Sequence, residues 1–247
     1  MPKPPHVELG RGRDAVRIPI LYEDRAVLAI DKPAGWMLVP FGWQKTDRNL
    51  QAAIQSSIGA GAFWARSRHL RFLRYIHRLD APTTGILLFG KTQGAVESLG
   101  RLFESRQMEK RYLAVVQGIP RHDTWICQLP LGTDPNDVSR RRVDRRHGKP
   151  AETAFRVLAT AHDRALIEAR PVTGRTHQIR LHLAADGWPV LGDDLYGRAG
   201  GGLALRAIEL RYRDPFTRRP VRIAAPEEHF LATFGFGQPP ERSLPLV

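Results

Sequence analysis

Cysteine is almost missing from this chain: Cys127 is the only one in 247 residues. A lone thiol cannot close an internal disulfide, and no cysteine cluster is there to hold a structural zinc. Long apolar runs are missing too, since none approaches the roughly 20 residues of a membrane-spanning helix. The start, Met1-Pro2-Lys3-Pro4-Pro5-His6, lacks the apolar core of a secretory signal. These absences predict a cytoplasmic protein with no membrane partner. Its 42% hydrophobic residues are enough for a core without staples. Acidic residues are also scarce, 25 against 38 Lys and Arg, which leaves a net charge of +13. That excess, mostly arginine, fits a polyanionic partner, nucleic acid above all. The bland alternative is an arginine-rich proteome.

Periodicity orders the elements. Residues 1–17 are polar and proline-rich and predict a partly ordered extension. Ile18 to Ile30 reads as strand, stopped by Asp31-Lys32-Pro33-Ala34-Gly35. A helix is predicted over 49–58, with Asp47 as its cap and Leu50, Ile54 and Ile58 on one face. Residues 66–78 interleave Arg66, Arg68, Arg71, Arg74 and Arg78 with Phe72 and Tyr75; the plain reading is a solvated face. Ile86 to Phe89 reads as a buried strand, Gln93 to Arg106 as a helix, and Arg111 to Val116 as a strand. Short strands are predicted at 124–130, 152–160 and 164–169. Between the first two, Arg140-Arg141-Arg142 and Arg145-Arg146-His147 predict an exposed loop or hairpin tip. Thr173 to Asp186 predicts a helix, and strands follow near 203–213 and 220–224. With no repeat or linker visible, the pattern predicts an α+β chain: one domain, residues 18–226, on a mixed, mostly antiparallel sheet flanked by helices. Residues 227–247 read as a tail.

Three stretches concentrate polar residues at the ends of elements. The first is His77-Arg78-Leu79-Asp80-Ala81-Pro82-Thr83-Thr84-Gly85, which sets one carboxylate on a loop entering a buried strand. The second is Lys110-Arg111-Tyr112-Leu113-Ala114-Val115. The third is Arg170-Pro171-Val172-Thr173-Gly174-Arg175-Thr176-His177-Gln178-Ile179-Arg180-Leu181-His182, where exposed amides and arginines at a helix start suggest an anion site. A metal nuclease would need clustered carboxylates. The adjacent pair Asp193-Asp194 lies in a glycine-bounded turn, and His177 and His182 are five apart, not the four of a helical metal pair. No phosphate loop or Gly-x-Ser-x-Gly elbow occurs.

Taken together these motifs resemble the RluA-type pseudouridine synthases. That family carries a His-Arg-Leu-Asp loop, a Lys-x-Tyr-Leu-Ala strand and a Thr-Gly-Arg-Thr-His-Gln-Ile-Arg-x-His segment. The similarity extends to Asp31-Lys32-Pro33-Ala34-Gly35, to Gly187-Trp188-Pro189-Val190-Leu191-Gly192-Asp193 and to Tyr196-Gly197, and covers residues 20–226 in order. Two departures are visible: Thr84 stands where serine is usual, and Leu205-Arg206-Ala207 where Leu-His-Ala is usual. The resemblance implies the pseudouridine synthase fold and isomerisation of uridine in structured RNA, ribosomal or transfer, by a monomer without metal, redox cofactor or nucleotide. It implies Asp80 as the catalytic carboxylate, Arg180 as its partner, and Tyr112 stacked on the base. His77, Arg78, Thr83, Thr84, Gly85, Arg175, His177, Gln178 and Leu205 are implied in shaping the loop or holding substrate, with Lys32 and Pro33 supporting the loop. The rival reading is a non-catalytic RNA-binding or chaperone-like relative. Such a chain would be expected to lose Asp80, Tyr112 or Arg180, and this one keeps all three. Only about twenty residues precede the first family motif, too few for an S4-type RNA-binding module.

Overall fold

The structure, a computed structural model, describes residues 2–10, 12, 15–38 and 48–237. Contacts divide the chain into two compact units, Met1–Glu109 with Glu209–Ala225, and Lys110–Ile208 with Pro226–Val247. No linker marks the division. The strand that carries the chain out of the first unit and the strand that returns it are regular elements, so composition gives no sign of a boundary.

The first unit opens with His6–Leu9 (β1), Val16–Glu23 (β2) and Val27–Lys32 (β3), paired antiparallel in that order. Thus a strand lies inside the expected N-terminal extension. Leu50–Gly59 (α1) and Phe63–Arg66 (α2) follow, then Arg74–Tyr75 (β4), Thr84–Gly90 (β5) and Gln93–Glu104 (α3). Val27 to Ile30 and Ile86 to Phe89 are all buried, so neither strand alternates; both faces are covered. β5 pairs antiparallel with β3, and β4 pairs with its far end. Leu99 of α3 packs with Val27, Ala29, Ile86, Leu88 and Met108 into one core cluster. The α1 cap is Asn49, whose side chain accepts from the Ala52 amide at 3.1 Å. Asp47, expected there, lies outside the described residues.

The second unit begins along Glu109–Gln117 (β6) and continues with Thr124–Cys127 (β7), Leu131–Thr133 (β8), Arg141–Val143 (β9), Thr153–Ala161 (β10) and Arg164–Pro171 (β11). β6, β11, β10 and β7 form an antiparallel run, and β8 pairs with β9 as a separate hairpin that carries the basic run. Gln178–Ala185 (α4) and Leu205–Arg213 (β12) come next; then Pro220–Ala224 (β13) pairs with the Glu209–Arg213 half of β12 in the first unit. Glu228–Thr233 (α5) lies in the expected tail. α4 starts later than the sequence predicts. His177 precedes it in the left-handed region, φ +58°, and residues 173–177 form a turn instead of a first helical turn.

Candidate functional site

Asp80 sits, half-buried, on the loop between β4 and β5, and the loop is held from within. Lys32, the last residue of β3, is fully buried. Its Nζ donates to the carbonyls of Pro33 at 3.0 Å, Ala81 at 2.9 Å and Thr83 at 2.8 Å. The Ala81 carbonyl also accepts from the Gly35 amide at 2.8 Å, and Thr83 N–H closes a turn onto the Asp80 carbonyl at 3.1 Å. Burial pushes the Lys32 ammonium down to about 8, while the nearby Asp80 charge pulls it back up. Gly85 stands opposite Lys32 in the β3–β5 register with φ +106°, a conformation that requires glycine and starts the strand directly after the loop.

The loop's neighbours divide by task. His77 stacks on Phe103 with ring centroids 4.7 Å apart, and its Nε2 accepts from Leu88 N–H at 3.2 Å. Thr83 is buried and Thr84 begins β5. Arg78 is exposed, with no side-chain partner among the described residues.

In the second unit Tyr112 is buried on β6, opposite Ala169 of β11. Beside it, the buried Glu168 accepts from Arg111 Nε at 2.8 Å and Arg170 Nε at 2.6 Å. Lys110 Nζ donates to the Thr173 carbonyl at 3.1 Å, and burial pushes this ammonium too down to about 8.

Arg180, on α4, is no helix-surface arginine; it is 1% exposed. Its Nε and Nη2 grip Asp193 at 2.8 and 2.6 Å, and Nη2 reaches Asp194 at 3.3 Å. Asp193 also accepts from the Leu195 and Tyr196 amides at 2.9 and 3.1 Å. Burial raises the Asp193 carboxyl, yet the Arg180 guanidinium and these amides hold it below the usual carboxylate range. The Tyr196 ring faces the Arg180 guanidinium at 5.4 Å, and its hydroxyl meets His177 Nδ1 at 2.8 Å. Gln178 is buried and saturated. Its Oε1 accepts from Thr173 and the Arg175 amide, and its Nε2 donates to Glu152 O and Thr153 Oγ1. At this helix start the Arg175 amide is therefore taken by the Gln178 side chain. Arg175 remains exposed, with Nε on the Pro150 carbonyl at 3.0 Å, and Leu205 is buried on β12.

Sequence reasoning missed Asp193 as the Arg180 anchor and Tyr196 as part of the same network. The signal was present, since a buried arginine demands a carboxylate and Asp193-Asp194 follows α4 closely. Among the described residues no His, Cys, Asp and Glu group is arranged to hold a metal, and no helix is long and apolar enough to cross a membrane.

An antiparallel α+β scaffold with a carboxylate on a clamped loop, and an arginine locked on a buried helix, defines the class. The sequence profile of the RNA pseudouridylate synthase family matches residues 26–185, and the chain belongs to that family. It is 34% identical over 223 residues to the Ribosomal large subunit pseudouridine synthase C of Vibrio vulnificus, covering 84% of this chain and 65% of that protein's length. It is 32% identical over 213 residues to the Dual-specificity RNA pseudouridine synthase RluA of Pasteurella multocida, covering 84% of this chain and 92% of that one. Among solved structures it resembles Human RNA Pseudouridylate Synthase Domain Containing 1, with TM-score 0.69, 25% identity and coverage of 87% and 86% of the two chains. The pseudouridine synthase fold and the mixed, mostly antiparallel sheet expected from sequence are both found.

Proposed function

We propose that this chain, as a cytoplasmic monomer with its catalytic domain over residues 18–226, converts uridine to pseudouridine in structured RNA, ribosomal or transfer. The N1–C1′ bond breaks, the uracil turns, and C5 joins C1′. The C5 proton is lost and N1 gains one, so no redox partner or energy source is consumed. Asp80 acts on the sugar or base as the catalytic carboxylate, Arg180 pairs with it, and Tyr112 stacks on the uracil. Because a paired or stacked uracil is out of reach, the nucleotide is extruded, with the exposed Arg78 filling the gap or holding a phosphate.

The observation that carries this reading is the clamped loop: Lys32 fixes three carbonyls around Asp80 and so presets where its carboxylate can point. Asp80→Asn should lower pseudouridine formation by about 10²–10⁴-fold or more, read as proton release from C5-tritiated uridine in ribosomal and transfer RNA transcripts. RNA affinity and melting temperature should stay close to the parent. Ordinary product yield from Asp80→Asn and Asp80→Ala would overturn the assignment.

A further inference from the structure

The arginine-rich stretch 66–78 is not one solvated face. Arg68 is committed, with Nε on Glu23 at 2.8 Å and a side chain only 4% exposed. Phe72, Arg74 and Tyr75 instead line a cavity of about 310 Å³ against α1, together with Asn49, Gln51 and Gln55. Such a volume lies at the lower end of small-molecule sites.

The cavity wall is preset. Gln51 Nε2 donates to the Leu73 carbonyl at 2.9 Å and its Oε1 accepts from Tyr75 N–H at 3.2 Å, which staples β4 to α1. Asn49 Oδ1 is engaged with the Ala52 amide. Gln55 and Arg74 are exposed and have no side-chain partner among the described residues. No carboxylate is among the described lining residues. Two half-buried rings, neutral amides that both donate and accept, and one guanidinium match a nucleobase and its phosphate. They do not match a metal ion. The larger cavity of about 550 Å³ around Glu23 offers no such opening. There Glu23 is already paired with Arg68 and Lys91, each at 2.8 Å.

We propose that this cavity binds an unstacked nucleobase of the RNA other than the target uridine. The base lies on Phe72 or Tyr75, Gln55 meets its edge, and Arg74 takes its phosphate. The inference deepens the RNA reading above and rests on it. β4 runs directly into the Asp80 loop: Tyr75 and Asp80 are five residues apart, at most about 18 Å of chain. A base held here therefore anchors a nucleotide neighbouring the extruded one.

The test uses the full chain and a 12-nucleotide oligouridylate carrying 5-iodouridine. Photocrosslinks mapped by mass spectrometry should fall on Phe72 or Tyr75. Phe72→Leu should weaken binding of the unmodified oligomer about 5- to 150-fold, the range for loss of one stacked base. Gln55→Ala and Arg74→Ala, both at exposed positions, should weaken it by smaller factors without lowering the melting temperature. Crosslinks absent from residues 72–75, or unchanged affinity in Gln55→Ala and Arg74→Ala, would overturn the proposal. Failure of the catalytic reading is separable: it would appear as an active Asp80→Asn enzyme, whatever the cavity variants do.

Discussion

In the first unit one buried cation, Lys32, holds the Asp80 loop through the carbonyls of Pro33, Ala81 and Thr83; in the second, Arg180 is held side chain to side chain by Asp193 and Asp194. A carbonyl is present whatever the residue, so the clamped loop tolerates changed side chains at its acceptor positions while the clamp itself has no substitute. The second device depends on identity at both ends. Losing Arg180 strands the buried Asp193 carboxylate, and losing Asp193 removes the anion that the guanidinium grips at shortest range.

The largest effect should come from Asp193→Asn, which removes the buried carboxylate that the 1%-exposed Arg180 grips at 2.8 and 2.6 Å. Breaking a buried pair from one side costs about 3–5 kcal/mol, read as a lower urea midpoint with an unchanged m-value. A loss below about 0.5 kcal/mol would mean that the guanidinium is held well enough without Asp193, and the two devices would no longer differ. Lys32→Met should follow, at roughly 3 kcal/mol, because three carbonyls each lose a donor at about 1 kcal/mol. This variant also sharpens the comparison through pH. Burial lowers Lys32 to about 8, below the roughly 10.4 of an unfolded lysine. The unfolded chain therefore binds more protons between these values, and stability rises with pH across that window. Below about pH 8 the burial penalty is present in full. Lys110, shifted the same way to about 8, adds a similar slope. Lys32→Met should shrink the rise without abolishing it, as followed by urea midpoints from pH 7.5 to 10.5. An unchanged slope would show that Lys32 keeps its proton when buried.

Much of the fold was legible because its signals are local. Unbroken apolar runs marked β3 and β5, and Leu99 with its helical neighbours marked α3. The start of α4 was misplaced because Gln178 captures Thr173 and the Arg175 amide, a side-chain competition with the helix that periodicity does not register. The unit boundary was invisible because it falls within strands. The placement of Asp80 on a loop entering a buried strand, and the turn at Gly85, were legible from loop chemistry. The internal partners of Gln178 and His77 were not. Both are polar residues beside a functional motif, yet Gln178 spends its amide on internal partners, and His77 uses its ring face and Nε2 in packing. Whether a polar group faces inward depends on contacts distant in sequence.

The smallest effect tests the basic hairpin, where the same contrast between committed and uncommitted cations recurs within a few residues. Arg140 donates to the Leu195 carbonyl and lies 5.7 Å from the Tyr196 ring, Arg141 N–H donates to the Tyr196 hydroxyl at 2.8 Å, and Arg142 pairs with Asp144 at 3.4 Å. Arg145 and Arg146 have no side-chain partner among the described residues. Charge density alone would weight all five equally, but the first three already serve the hairpin. Neutralising only Arg145 and Arg146 to Gln should therefore weaken RNA binding several-fold. The slope of log affinity against log salt should fall by about 1.4–1.8, the release expected for two phosphate contacts. Neutralising Arg140 should instead lower stability, because its guanidinium fixes the hairpin to the Leu195 carbonyl and the Tyr196 ring. If the salt slope is unchanged when Arg145 and Arg146 are neutralised, these arginines are solvated charges and the RNA lies elsewhere.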